Sequence, residues 1–261
     1  MIRQTIVGVC ALCTCVKELC ESHFLPRAMY KNMKLPGDTS QIVLDRTKSR
    51  IDNRQVKTHL LCALCEDRFS KNGERWVVGH GFRTPGSFAL QTALKIAHPL
   101  AETDDGWAFS GRTTPGVEME PLVYFGASVF WRATAHDWGC AAHRLAFGSR
   151  YQEEFRQYLL GTGAFPSNAA LLIDVSDATT LLEIAAFPFG GRVDGTYSRY
   201  EFHIPGVQFT LFLGQRMLEA ARRLCAVHSS EQWIFLSCNP RGLTLASDMM
   251  ADRIQSLDRL G

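Results

Sequence analysis

The chain has 261 residues, 46% of them hydrophobic and 21% charged, enough to bury a substantial core and more than one average domain requires. No apolar run reaches the length of a membrane span, and Met1 to Val9 has one Arg and no sustained apolar core, so neither a membrane-spanning nor a signal-bearing chain is expected. Net charge is only +2 but unevenly placed: residues 1–79 hold 13 Lys/Arg against 8 Asp/Glu, and the remainder holds 15 against 18.

A basic leading segment on a mildly acidic body suits contact with phosphates, although ordinary surface variation gives excesses of this size. The nine cysteines are an odd number, and six fall in the first quarter of the chain. A secreted disulfide scaffold would spread an even number through a short chain. The expectation is therefore reduced thiols in a cytoplasmic protein.

In chain order, a first pair Cys10-Ala-Leu-Cys13 precedes a strand-like segment, Leu19 to Leu25, and Arg27 to Lys34 reads as a short helix. Pro36 to Lys57 is polar and charged, material for a loop or hairpin. Leu60-Leu61 leads into the second pair, Cys62-Ala-Leu-Cys65, and Glu66 to Phe69 should open a helix. Residues 79–86, rich in Gly and closed by Pro85-Gly86, read as a boundary between a module at 1–79 and a second domain at 87–261.

Beyond the boundary, Leu90, Ala93, Leu94 and Ala97 have helical spacing, and a break at Ser110 to Pro121 follows. Leu122, Phe125, Val129, Phe130 and Ala133 predict an amphipathic helix. Ser149 with Gln152 predicts a capping box for a helix carrying Tyr151, Phe155 and Leu159 and stopped by Gly161. The period then becomes two: Ala170 to Ser176, Leu181 to Phe189, a hairpin turning at Pro205-Gly206, and Trp233 to Leu236. Leu243 to Leu257 predicts a closing helix. The fold class is α+β, with a small zinc-bound module followed by a larger mixed domain.

Two CxxC pairs in a reduced, basic segment predict a Zn²⁺ site of four thiolates, Cys10, Cys13, Cys62 and Cys65. Such an ion is structural, because four protein ligands leave no position for water or substrate. Cys15 and Cys20 compete for the role; Cys15 in place of Cys13 would give the less common Cys-x-Cys geometry. The alternative is two unrelated pairs of buried thiols. His136, Cys140 and His143 lie within eight residues but among aromatic and alanine neighbours, and read as filler. Trp107, Trp131, Trp138 and Trp233 read as core.

The order CxxC, then His23-Phe24-Leu25-Pro26, then Leu60-Leu61-Cys62-x-x-Cys65 resembles the zinc-containing HNH endonucleases of the ββα-metal (His-Me finger) superfamily, over about residues 8–76. The resemblance implies a treble-clef-like module in which His23 is the general base, Glu66 ligates a catalytic Mg²⁺ or Mn²⁺, and the substrate is nucleic acid, DNA first. Arg27, Lys31 and Lys34 are then candidates for phosphate contacts, or equally a solvated helix face. The chain departs from the pattern where the Asp before the catalytic His is Ser22, and where the Asn before the third Cys falls on Lys57.

An endonuclease of this shape suggests, by analogy, bacterial defence or a mobile element. The second domain would then supply substrate contact, oligomerisation or a regulatory partner. The competing expectations are a catalytically inactive zinc-stabilised module that binds DNA or protein, and a purely structural module with function elsewhere.

Overall fold

A computed structural model of the chain describes residues 5–32, 41–44, 49–52, 55–103, 105–139, 145–178, 182 and 185–238. Its leading part is a three-stranded antiparallel sheet in the order β1 (Val7–Val9), β2 (Val16–His23), β5 (Lys57–Cys62). Between β2 and β5 lie α1 (Arg27–Asn32) and a hairpin of β3 (Gln41–Leu44) with β4 (Ser49–Asp52), inside the polar stretch expected to be loop or hairpin. α2 (Ala63–Phe69) starts directly after β5, passes through a π-helical turn at Ser70–Glu74 and continues as α3 (Arg75–His80).

The body is mixed α and β, as expected. Its helices are α4 (Ala89–Ile96), α5 (Met119–Ala135), α6 (Ser149–Leu160) and α7 (Glu219–Arg223). Its strands are β6 (Ala101–Thr103), β7 (Gly106–Ser110), β8 (Ala169–Ser176), β9 (Ala186–Val193), β10 (Tyr197–Ile204), β11 (Val207–Leu213) and β12 (Trp233–Ser237). They form one seven-stranded sheet in the order β6-β7-β12-β8-β11-β10-β9, antiparallel except for β12 beside β8. Among the described residues no helix is long and apolar enough to cross a membrane.

Some elements differ from expectation for identifiable reasons. The helix expected to be amphipathic, α5, is buried on nearly every side, because the sheet covers one flank and α6 and the π-helical turn cover others. α6 does begin at Ser149, but Gly148 holds the capping position and no side-chain cap bond forms, so Ser149 is a helical residue and the capping box is absent. Gly161 ends that helix in the left-handed conformation, with φ of 73°, as a helix-stopping glycine does. β9 begins later than Leu181 and runs on to Val193. The closing helix predicted over 243–257 lies outside the described residues.

One apolar cluster runs through both parts of the chain. It takes in Leu12, Phe24, Leu61 and Phe69 from the leading segment and Phe125, Trp131, Phe202 and Phe209 from the body. Phe24 meets Trp138 and Phe187 edge-on at 5.0 and 5.1 Å, and Phe69 meets Trp131 at 6.0 Å. Trp131 and Trp138 are buried in the core and Trp107 packs against it, as expected, while Trp233 is half-buried on β12. Arg132, 1% exposed, reaches from α5 to the Phe24 carbonyl at 3.3 Å and to Glu74 at 2.5 Å, with its guanidinium over the Phe69 ring.

Candidate metal centre and histidine site

The first knuckle is shaped by its backbone. Thr14 N–H donates to the Cys10 carbonyl at 2.8 Å, Cys10 N–H to the Cys15 carbonyl at 2.9 Å, and Ala11 N–H to the Leu60 carbonyl at 3.0 Å. Thr14 takes a positive φ of 61° to close the turn. These bonds place Cys10 and Cys13 over the end of β5, where Cys62 is the residue preceding α2 and Cys65 lies in its first turn. Cys62 N–H donates to Cys10 Sγ at 3.3 Å.

The four sulfurs all lie within 4.8 Å of one another, and Cys13 and Cys62 are 3.9 Å apart. A tetrahedron with Zn–S bonds of about 2.3 Å puts its sulfurs about 3.8 Å apart, so the cluster fits a metal ion such as zinc. Cys15 is exposed and turned toward the Cys13 carbonyl, and neither it nor Cys20 belongs to the cluster. Burial, and next the charge of Cys10, push the Cys65 thiol up. Three of the four sulfurs are buried and Cys13 is half-buried, so charged thiolates there call for a cation among them.

His23 ends β2 opposite Lys57 on β5. Its ring is half-buried, 6.5 Å from Tyr30, and its Nε2 lies 2.7 Å from Gln55 Oε1. An amide oxygen only accepts, so Nε2 carries the hydrogen, and the neutral ring keeps its lone pair on Nδ1. Gln55 was not singled out from the sequence. A polar amide just before β5, two residues from the partner of His23, was the available signal. Strand alternation puts Glu21, His23, Lys57 and His59 on one outer face, where Glu21 and Lys57 form an exposed ion pair at 2.8 Å. The Lys57 bond holds the Glu21 carboxyl below its usual range.

Ser22 points the other way and is fully buried. Its Oγ accepts from Leu61 N–H at 3.1 Å and donates to Glu66 Oε1 in a short hydrogen bond. The structure thus joins Glu66 to Ser22, and no hydrogen bond among the described residues joins Glu66 to His23. Three further carboxylates of this segment are engaged in ion pairs: Glu21 with Lys57, Asp67 with Lys71, and Glu74 with Arg132. Arg27 and Lys31 are exposed, one turn apart on α1, and Lys34 lies outside the described residues. His136 packs edge-on against Trp138, while Cys140 and His143 lie outside the described residues.

What the arrangement offers chemically is a sulfur site for an ion, an imidazole with one fixed nitrogen on a half-open strand end, and a carboxylate at the start of a helix, joined to the neighbouring Ser22. No family model, no curated protein and no solved structure matches the chain.

Proposed function

We propose that the chain is an HNH-type endonuclease that hydrolyses phosphodiester bonds of nucleic acid, DNA first, on a treble-clef-like module held together by zinc at Cys10, Cys13, Cys62 and Cys65. The observation that carries this reading is the Gln55–His23 bond. Fixing Nε2–H leaves Nδ1 as the proton acceptor, which is the state a general base needs to activate water. The strand that carries His23 lies between the two knuckles, so its position depends on the metal clamp.

In this reading Glu66 would hold a Mg²⁺- or Mn²⁺-like ion, which would stabilise charge on the phosphate and leaving oxygen. Such ions keep several waters and take further ligands from substrate phosphates, so one protein carboxylate is compatible with binding. Arg27 and Lys31 extend a basic surface beyond His23 for backbone contacts.

The Ser22–Glu66 bond favours a second reading, a zinc-stabilised module that binds DNA or protein without cleaving, because it occupies the carboxylate with a neighbour. Plasmid cleavage across Mg²⁺, Mn²⁺ and Ni²⁺ separates the two. Cleavage that disappears in His23→Ala with zinc content unchanged supports hydrolysis. Salt-dependent DNA binding without any cleavage supports the second reading.

A further inference from the structure

The face of the seven-stranded sheet turned away from α5 is unusual in holding polar side chains out of water. Leu171, Ile173, Phe209 and Leu211 point to the core, so alternation sends Asp174, Gln208 and Thr210 to the other face. Glu201, Gln208 and Thr210 there are each less than 8% exposed. A cavity of about 180 Å³ opens beside Asp174, Gln208 and Thr210, with Phe212 and Phe235 also in its wall. That is smaller than the ~300–1,000 Å³ of pockets for drug-sized molecules, so its occupant is small.

Asp174 stands at the centre, paired across the sheet with Gln208 on β11 and Phe235 on β12. Its Oδ1 is fully buried and has no hydrogen-bond partner. Gln208 directs its amide nitrogen to Thr210 at 3.2 Å instead. Arg199, at the rim, forms an ion pair with Glu201 and lies over Phe212, so its charge is already matched within β10. Asp105 adds a second carboxylate to the lining and opposes ionisation of the first. Folding obtains nothing from a buried carboxylate oxygen without a donor, and groups kept at such a cost mark sites of binding.

We propose that this cavity binds a small organic cation, an ammonium or guanidinium head on a short chain, with Asp174 as its counter-ion. A positive head group satisfies the unpartnered oxygen and relieves the repulsion between the two carboxylates. The Phe235 ring offers a cation an aromatic wall. The site belongs to the large sheet and does not depend on the nuclease reading of the His23 region.

The test is calorimetric titration of the full, metal-loaded chain with agmatine, putrescine, neutral N-butylurea and Mg²⁺ alone. Saturable one-to-one binding of agmatine or putrescine is expected, at least tenfold tighter than N-butylurea and at least tenfold weakened in Asp174→Asn. Phe235→Leu, which keeps the charge, should weaken binding at least threefold and serves if the first variant does not fold. Equal binding by wild type and Asp174→Asn, absence of binding by either amine, or saturation by Mg²⁺ alone overturns the proposal.

Discussion

Ser22 and Glu66, 44 residues apart in the chain, are joined through a hydroxyl that also accepts the Leu61 N–H. The bond ties the strand carrying His23 to the helix that begins between the second pair of cysteines. Ser22→Ala leaves a buried N–H and a half-buried carboxylate short of a partner, and should cost about 1–3 kcal/mol in urea denaturation. Metal content should stay unchanged, because the sulfur cluster is untouched. Glu66→Gln keeps an acceptor for Ser22 and should hold stability within about 1 kcal/mol. If Glu66 ligates a catalytic ion, the same variant shifts the Mg²⁺ or Mn²⁺ dependence of cleavage.

Removing a sulfur acts differently. Cys62→Ser should reduce bound zinc to well below one per chain and lower the melting temperature of the whole protein. The reason is that binding energy of a structural ion is folding energy. Metal analysis beside a thermal scan checks both; full metal content with a normal melt would refute the four-thiolate assignment.

Gln55 is expected to act through His23. If the chain cleaves nucleic acid with His23 as base, Gln55→Leu should lower kcat by about a hundredfold, the lower end of what a positioned base contributes, while KM and melting move little. A variant with unchanged kcat would show that the amide merely packs against the ring.

Two buried groups on the large sheet oppose each other in their dependence on pH. Burial, with the like charge of Asp105 adding to it and a bond from Ser237 opposing it, pushes the Asp174 carboxyl up to about 6. The folded state then holds a proton the unfolded chain has released, so Asp174 costs stability increasingly as pH rises from about 4 to about 6. Asp174→Asn should therefore stabilise the protein by about 2 kcal/mol at pH 7.5, a gain that fades towards pH 4. Burial lowers His203 to about 4, so it favours folding above the ordinary histidine range and withdraws that support as pH falls from about 6.5 to about 4. His203→Gln should flatten that acid limb. Denaturation series across pH on the two single variants separate the contributions.

The Arg132–Glu74 pair predicts a further asymmetry. Arg132→Met should destabilise by about 3–5 kcal/mol by leaving Glu74 and the Phe24 carbonyl without their donor. Adding Glu74→Gln to it should recover part of the loss, as measured in a double-mutant cycle.

The parts of this fold that were legible in sequence are those with local causes. CxxC pairs, the alternation on either side of Pro205-Gly206 and the glycine at 161 each carry their own instruction. The short strands β6 and β7 were missed, because Gly106–Ser110 has no long alternating run and is held by β12 from far along the chain. α5 looked amphipathic because its sequence cannot reveal that α6 and the π-helical turn cover its remaining sides. At the candidate site the cysteines and His23 stood out by spacing. Gln55 and the Ser22–Glu66 bond did not, since both arise from the pairing of β2 with β5 and the bulge between Cys20 and Glu21.

Gly73 sits in the π-helical turn where a Cβ would come within 2.9 Å of the Phe125 backbone nitrogen. Only hydrogen fits there, so the leading segment and α5 touch main chain to main chain. This makes the cysteine-rich region a poor cassette for transplantation. Cut loose, it would leave Phe24 and Phe69 bare, and a grafted copy would need its own α5 to keep its shape. Recombination could therefore move this unit into a new protein only together with the body on which it is seated.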